Sequence, residues 1–524
     1  MIYSGVSNIG VSTELISRSP NTGEILGSVP ITTEADVAAA VSRARAAQPA
    51  WAARPLKQRV KVLRQIQEAL VDQGSEIARL VSLEMGKTET DSLIGDVLIT
   101  LTSLTGYLKL APSVLCSRRQ RQGLLHSTKR TYIVREPLGV VAIISPFNYP
   151  VLLSLQSAFA ALLSGNAVVH KPSEYTPLTA LKIRDLFLEA GLSQDLFQVV
   201  VGARETGRIL TNAGVDHISF VGSTESGRQV AVTAAKRFIP VTLELGGNNA
   251  MIVLEDAPLP RAIECALAYA FASNGQICAS VGRLFLHRSI ASDFIFQMQN
   301  RLKSWTISTD ISPNASDMTA LINHASLSRV EAQVQEALDG GAKLICGGKR
   351  LNSTDAPLFP PTILTHTSPE MSVRNSETFG PLLCVIEIAD ADEAVAMAND
   401  SPYGLTASVW THDKAKAWAL ARKLQVATVA INDHMWPFFA PEVPWGGIKD
   451  SGLGRVGGKQ GLEAMTYQKV ISFDRINLPR EVYWFPRPKW FHFVLLMLIP
   501  ILYSRSTGKR LAALWNLLRG LMHP

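Results

Sequence analysis

Between Gly139 and Val221 the chain repeats one pattern, an almost unbroken apolar run followed by a segment of helical length. The runs are Gly139 to Ser145 (GVVAIIS), Ala167 to Lys171 (AVVHK), Phe197 to Val201 and His217 to Val221. A strand that is apolar on both faces must be covered on both faces, as in a parallel sheet with helices above and below it. Thr176-Pro177 predicts an N-cap and first helical position for the following LTALKIRDLFLEAG. This part of the chain is therefore constrained to a doubly wound α/β domain. Residues 247–445 carry a second α/β rhythm. Residues 34–112 read as helices, with Val60, Leu63, Ile66 and Leu70 at helical spacing, and 124–137 read as extended.

The chain has 524 residues, of which 47% are hydrophobic and 18% charged, enough for two or three domains with large cores. Five scattered cysteines exclude a disulfide framework, and without a CxxC pair or an HExxH run no metal site is expected. Residues 1–20 lack the basic start and apolar run of a secretory signal, so the expected location is cytoplasmic. From Arg475 to the end there are eight Lys/Arg and one acid, Glu481, so the tail carries the whole formal excess of +7. The body is close to neutral, which argues against a nucleic-acid-binding enzyme.

Several segments could carry chemistry. Gly222-Ser-Thr-Glu-Ser-Gly227 follows an apolar strand and opens a helix, where small residues let backbone N–H groups approach a phosphate. It is neither GxGxxG nor a P-loop, and a tight strand-to-helix turn accounts for it equally well. Glu174, just beyond AVVHK, is placed to accept the hydroxyls of a ribose or to be a solvated loop acid. Cys278 lies in Asn274-Gly-Gln-Ile-Cys278, a small, polar, Gly-bearing segment suited to a nucleophile, whereas Cys116, Cys265, Cys346 and Cys384 read as inert. Glu244 sits between strand residues and a Gly-Gly turn, and Asn148 lies at the C-terminal end of an apolar strand, where ligands collect.

Taken in order, LEMGK (83–87), SPFNYP (145–150), KPSEYTPLTAL (171–181), FVGSTESG (220–227), LELGGNN (243–249), NGQIC (274–278), ETFGP (377–381), SPYGLTASVW (401–410) and PWGGIKDSGLGR (444–455) resemble the NAD(P)-dependent aldehyde dehydrogenase superfamily. The resemblance runs from about residue 12 to 474. It implies an α/β fold with a Rossmann-like cofactor domain (1–123 and 138–246), an α/β catalytic domain (247–445) and a small β bridging element (124–137), with 446–474 as a return segment and bridging strand. It also implies a mechanism. Cys278 would attack an aldehyde as a thiolate, with Asn148 and the Cys278 N–H holding the oxyanion, and Glu244 would activate water to hydrolyse the thioester. Lys171 and Glu174 would bind the adenine ribose of NAD, with NADP as the alternative. Gly222 and Ser223 would meet the pyrophosphate, and Glu377 and Phe379 the nicotinamide ribose. The resemblance also implies a homodimer or homotetramer, formed through strands near 124–137 and 463–474.

Tyr149, Trp436 and Trp445 are the expected substrate-pocket residues. Trp445 stands at an entrance position where the family often has phenylalanine, and His434-Met-Trp-Pro-Phe-Phe439 is strongly aromatic. No cation follows Asn148, although folding could bring Arg283 or another arginine close. This favours an apolar aldehyde, long-chain fatty or apocarotenoid-type, over succinate semialdehyde. A CoA-acylating enzyme would not need Glu244, and an inactive binding protein would be expected to have lost Cys278 or Glu244.

The largest departure is the tail. Trp490 to Tyr503 (WFHFVLLMLIPILY) is an unbroken apolar run, flanked by Arg487 and Lys489 on one side and Arg505, Lys509 and Arg510 on the other. Leu511, Leu514, Trp515, Leu518, Leu521 and Met522 fall on one helical stripe. A membrane anchor within 482–522, a spanning helix and a helix packed on a partner subunit are all open readings.

Overall fold

The computed structural model describes residues 13–123, 128–351 and 355–522. It divides into two compact units, one running to Cys116 and resuming over Val134–Lys469, the other comprising Ser117–Ile133 and Val470–Pro524.

The first unit is built on two sheets. One has six strands in the spatial order Gly452–Leu453, Val241–Glu244, His217–Val221, Val140–Ile144, Ala167–Lys171 and Phe197–Val199. All neighbours run parallel except the first pair, where Gly452 opposes Glu244 and Leu453 opposes Leu243 in antiparallel register. Every residue of Val140–Ile144 and Ala167–Lys171 is buried, as their unbroken apolar runs require. The helices Glu34–Ala52, Leu56–Asp72 and Leu152–Ser164 supply core residues around this sheet, Leu63, Ile66 and Leu70 among them, while Val60 is half-buried.

The second sheet has seven strands in the order Lys343–Cys346, Thr362–Thr365, Leu382–Ile388, Val281–His287, Asn249–Val253, Thr406–Trp410 and Thr428–Ile431. Only its first pair is antiparallel. The expected second α/β rhythm is thus one continuous sheet. The helical run Glu89–Val114 is long and apolar enough to cross a membrane by length and composition, yet half of its most apolar window is buried in this fold.

Thr176 holds the N-cap position, with Pro177 opening the helix as expected, but it makes no side-chain cap bond. The carboxylate of Glu84 accepts from Leu178 N and Thr179 N at 3.0 and 2.8 Å instead. A buried carboxylate at the positive end of the helix Pro177–Glu189 replaces the local hydroxyl. Glu84 also accepts from the hydroxyls of Ser17 and Thr179, which offsets part of the cost of burying it.

In the second unit Arg118–Gln120 pairs antiparallel with a strand that begins at Lys129. Lys129 forms ion pairs with Asp474 and Glu481, and the Thr131 and Ser472 hydroxyls share a hydrogen bond of 2.8 Å. The strand expected over 124–137 is seen as Lys129–Pro137, its first four residues lying outside the described residues. The one expected from 463 begins at Thr466, because Gly458–Ala464 is helical. The tail forms two helices, Phe491–Tyr503 and Thr507–Met522.

Candidate active site

Cys278 follows a left-handed kink. Ser273 and Asn274 both have positive φ (52° and 58°), and Gly275 follows at 71°. A Cβ on Gly275 would lie 2.3 Å from Gly380 O, so only glycine fits. Asn274 is fixed by Thr319 N on its oxygen and Ala320 O on its amide.

Beyond the kink, side chains pin the carbonyls on either side of the sulfur. The Asn148 amide donates to Gln276 O (2.9 Å), and Asn249 donates to Cys278 O (2.9 Å) and Ser280 O (2.8 Å). His434 Nε2 lies 2.9 Å from Ala279 O, and its Nδ1 lies 2.9 Å from Ser408 Oγ. The carbonyl has no proton to give, so Nε2 must carry the hydrogen and Nδ1 must accept from Ser408. Burial holds this imidazole neutral, pushing its pKa down to about 4. With the carbonyls tied back, the N–H groups of Ala279 and Cys278 are left to favour the thiolate.

The sulfur lines a cavity of about 310 Å³ together with Asn148, Glu244, Glu377 and Phe379. Burial, with Glu377 and Glu244 nearby, pushes the thiol up to about 12, a direction that disfavours the thiolate. A base must take its proton as it attacks. Glu244 is buried and its Oε1 has no partner. Desolvation raises its carboxyl well above the usual range, and Arg455 opposes this in part. Asn148 is also buried, with Oδ1 unpartnered.

A second cavity of about 710 Å³ shares Pro146, Phe147, Val221, Gly222 and Ser223 with the first and contains Lys171 and Glu174. Lys171 Nζ is 3.7 Å from the Glu174 carboxylate. Ser223 caps the helix Thr224–Ala235 by accepting from Ser226 N, which turns the helix's positive end to the cleft. At the first cavity Glu377 accepts from Gly247 N at 3.1 Å, and burial raises its pKa to about 7. A Cβ on Gly246 would lie 2.3 Å from Glu377 Oε2, so a side chain there would push this carboxylate aside. Phe379 has φ of +51° and stacks edge-on with Phe147. Two carboxylates, Glu174 and Glu377, with a helix N-terminus and aromatic side chains in the same cleft, fit a dinucleotide.

Of the expected pocket residues, Tyr149 and Trp445 pack with Cys278 in an apolar cluster that includes Ile277, Met435 and Phe438. Trp445 is buried, its ring centroid 4.9 Å from that of Phe438, so it lies inside this cluster and not at the surface. Trp436 is 66% exposed and stands outside this cluster, because the short turn Trp436–Phe439 directs Met435 and Phe438 inward. Arg283 is not free for a substrate. Its guanidinium is buried and donates to Asn248 O, Met397 O and Ala398 O.

Sequence reasoning missed the support of Asn148. Lys87 is fully buried and donates to Asp96 Oδ2 (2.6 Å) and Asn148 O (2.9 Å), its Nζ 4.0 Å from the Tyr149 ring centroid. Asp96 Oδ1 accepts from Val151 N (3.0 Å), and Asp96 lies in a π turn, Leu93–Leu98. The signal was present in LEMGK, whose Glu84 and Lys87 support the two ends of the site.

Comparison with known proteins agrees with this geometry. Residues 9–471 match the model of the aldehyde dehydrogenase family. A 4,4'-diapolycopene aldehyde oxidase of Methylomonas is 37% identical over 475 residues, covering 90% of this chain and 88% of that protein. A Mycobacterium bovis protein proposed to be a succinate-semialdehyde dehydrogenase [NADP(+)] is 34% identical, covering 87% and 88%. Among solved structures, a Mycobacterium tuberculosis aldehyde dehydrogenase complexed with NAD+ superposes with a TM-score of 0.84 at 33% identity, covering 90% of this chain and 96% of the other. With a cleft made for a dinucleotide and a cysteine at its end, this chain belongs to the aldehyde dehydrogenase family and is an NAD(P)-dependent oxidoreductase.

Proposed function

We propose that the enzyme oxidises an apolar aldehyde, long-chain fatty or apocarotenoid-type, to its carboxylic acid through a thioester on Cys278, with NAD preferred. The observation that carries the substrate class is the surrounding of the sulfur. It packs with Tyr149, Ile277, Met435, Phe438 and Trp445, none of them charged, and the charged residues that line its cavity are Glu244, Glu377 and Arg329. Nearby cations are already committed. Arg283 serves three carbonyls, Arg455 donates to Gly447 O and Gly454 O, Arg329 donates to Thr378 O, and Lys87 is paired with Asp96. A dicarboxylic semialdehyde would bring its carboxylate against this apolar wall, at the cost of burying an unpaired charge. A relative named for 4,4'-diapolycopene aldehyde supports the same reading.

In this mechanism the Cys278 sulfur adds to the aldehyde carbon and its proton passes to a base. The Asn148 amide and the Cys278 N–H hold the oxygen as it gains charge. The dinucleotide, when bound, supplies the hydride acceptor. Glu244 then takes a proton from water, which attacks the thioester carbon. The C–S bond breaks, and the acid leaves as the thiol is restored.

The test is a panel of purified-enzyme assays following NADH. Each methylene buried is worth about 0.8 kcal/mol, so kcat/KM should rise roughly fourfold per added carbon until the pocket is filled. Succinate semialdehyde should be poorer than an uncharged aldehyde of equal length. The reverse order would overturn the apolar assignment and favour the succinate-semialdehyde reading.

Cofactor choice rests on Glu174. A 2′-phosphate would meet this carboxylate, and like charges repel. The cleft also contains Lys171, Arg204 and Arg208, with Arg208 already paired to Glu205. Glu174→Ser should therefore move the NAD to NADP ratio of kcat/KM toward NADP by at least about tenfold. An unchanged ratio would sink the argument from charge.

A further inference from the structure

The apolar, basic tail plays no part in this chemistry. We propose that residues 482–522 dock on an anionic lipid surface as a two-helix hairpin lying in one leaflet. The proposal goes beyond the reading of the active site and does not depend on it.

Phe491–Tyr503 and Thr507–Met522 are joined by a short turn closed by Arg510, whose Nε donates to Ile501 O at 3.0 Å and whose N donates to Ser506 O. The helices pack closely, for a Cβ on Gly520 would lie 2.6 Å from the Phe493 ring. That packing uses little of the apolar surface. No residue of the first helix is buried, and Leu496, Ile499, Leu511, Trp515 and Leu518 are each at least half exposed. In water such a surface is unfavourable and asks for a cover.

The choice of lipid follows from charge and length. Between Val482 and Met522 there are six Lys/Arg and no Asp or Glu. The helices have 13 and 16 residues, about 20 and 24 Å at 1.5 Å per residue, against a hydrocarbon core of about 30 Å. Neither spans it comfortably. Arg505, Lys509 and Arg510 lie at the turn, and Arg487 and Lys489 at the other end of the first helix. End-on insertion would carry one of these groups into hydrocarbon, whereas lying flat keeps both at the headgroups. Trp484, Trp490, Tyr503 and Trp515 are exposed and suited to that boundary. Leu521, expected on the same stripe, has a side chain outside the described residues.

The experiment is co-sedimentation of the full-length protein with phosphatidylcholine vesicles, with and without phosphatidylglycerol. Binding should be at least about tenfold tighter on the anionic vesicles and weaken in high salt. Leu496→Glu with Trp515→Glu, both exposed, should lose it, and Arg505→Gln with Lys509→Gln should lower it, while activity on a short water-soluble aldehyde stays unchanged. Alkaline carbonate should extract the bound protein. No binding to anionic vesicles would overturn the proposal, and so would binding unchanged in both variants. An oligomer that falls apart in Leu496→Glu/Trp515→Glu without any vesicle binding identifies a subunit contact instead. Resistance to carbonate would overturn the one-leaflet geometry in favour of a span.

Discussion

Cys278→Ala should abolish aldehyde oxidation, by at least about 10⁴-fold, while Glu244→Gln should complete one turnover and then stall. The two effects differ because the two groups act at different bonds. Without the sulfur no covalent adduct forms, and no other cysteine lines the cavity. Without the carboxylate the adduct still forms and is oxidised, but the thioester waits for unassisted water, which is slower by about 10² to 10⁴-fold. A burst of NADH matching the enzyme concentration, followed by slow release, is the expected trace. The pH profile gives an independent reading. Burial raises the Glu244 carboxyl well above its usual range, and Arg455 restores only part of the loss. A base works only when ionised, so turnover should climb with pH through that raised value, and Glu244→Gln should flatten the climb. Glu377, raised to about 7, borders the same cavity. A climb near 7 that survives in Glu244→Gln belongs to Glu377. Wild-type steady turnover in Glu244→Gln would remove Glu244 from the role of base.

Much of the site's outline was legible because it follows from where strands end. Asn148 and Glu174 lie just past parallel strands, and Glu244 ends one. Local sequence marks such ends well, as an apolar run followed by glycine or proline. What holds these groups in place was not legible. Asn249 meets Cys278 O across 29 residues and His434 meets Ala279 O across 155. Any buried polar residue needs a partner, but the chain offers many donors and many carbonyls, and only the fold pairs them. The Thr176 hydroxyl stays unused at its N-cap position for the same reason, since a distant carboxylate, Glu84, reaches the helix end. Trp436 and Trp445 differ in a single local turn, whose direction aromatic content does not report. The antiparallel return of Gly452–Leu453 onto Val241–Glu244 was read only as a return segment. Two residues carry too little periodicity to announce a strand.

Lys87→Met should lower stability by about 3 to 5 kcal/mol, the cost of leaving Asp96 buried without its partner. Both side chains are fully buried, so water cannot take over the charge. Catalysis should suffer for a separate reason. Lys87 is a donor to Asn148 O, and the Asn148 amide is the group expected to meet the oxyanion. A shift of about 1 Å in such a group costs roughly 10²-fold in rate. The two effects can be separated. In Lys87→Met/Asp96→Asn neither position carries a charge, and the amide that replaces the carboxylate keeps an oxygen for Val151 N, from which Asp96 now accepts. Most of the stability should return, because exchanging a whole buried pair for neutral groups costs far less than breaking it. The rate should not return, since Asn148 O still lacks its donor and the Tyr149 ring its cation. Urea unfolding midpoints and kcat at saturating cofactor measure the two quantities. A double variant that recovered both together would mean that Lys87 serves only to neutralise Asp96. One that recovered stability alone would mean that the ion pair is kept to aim the loop from Asn148 to Val151, at the expense of an apolar packing that would be as stable.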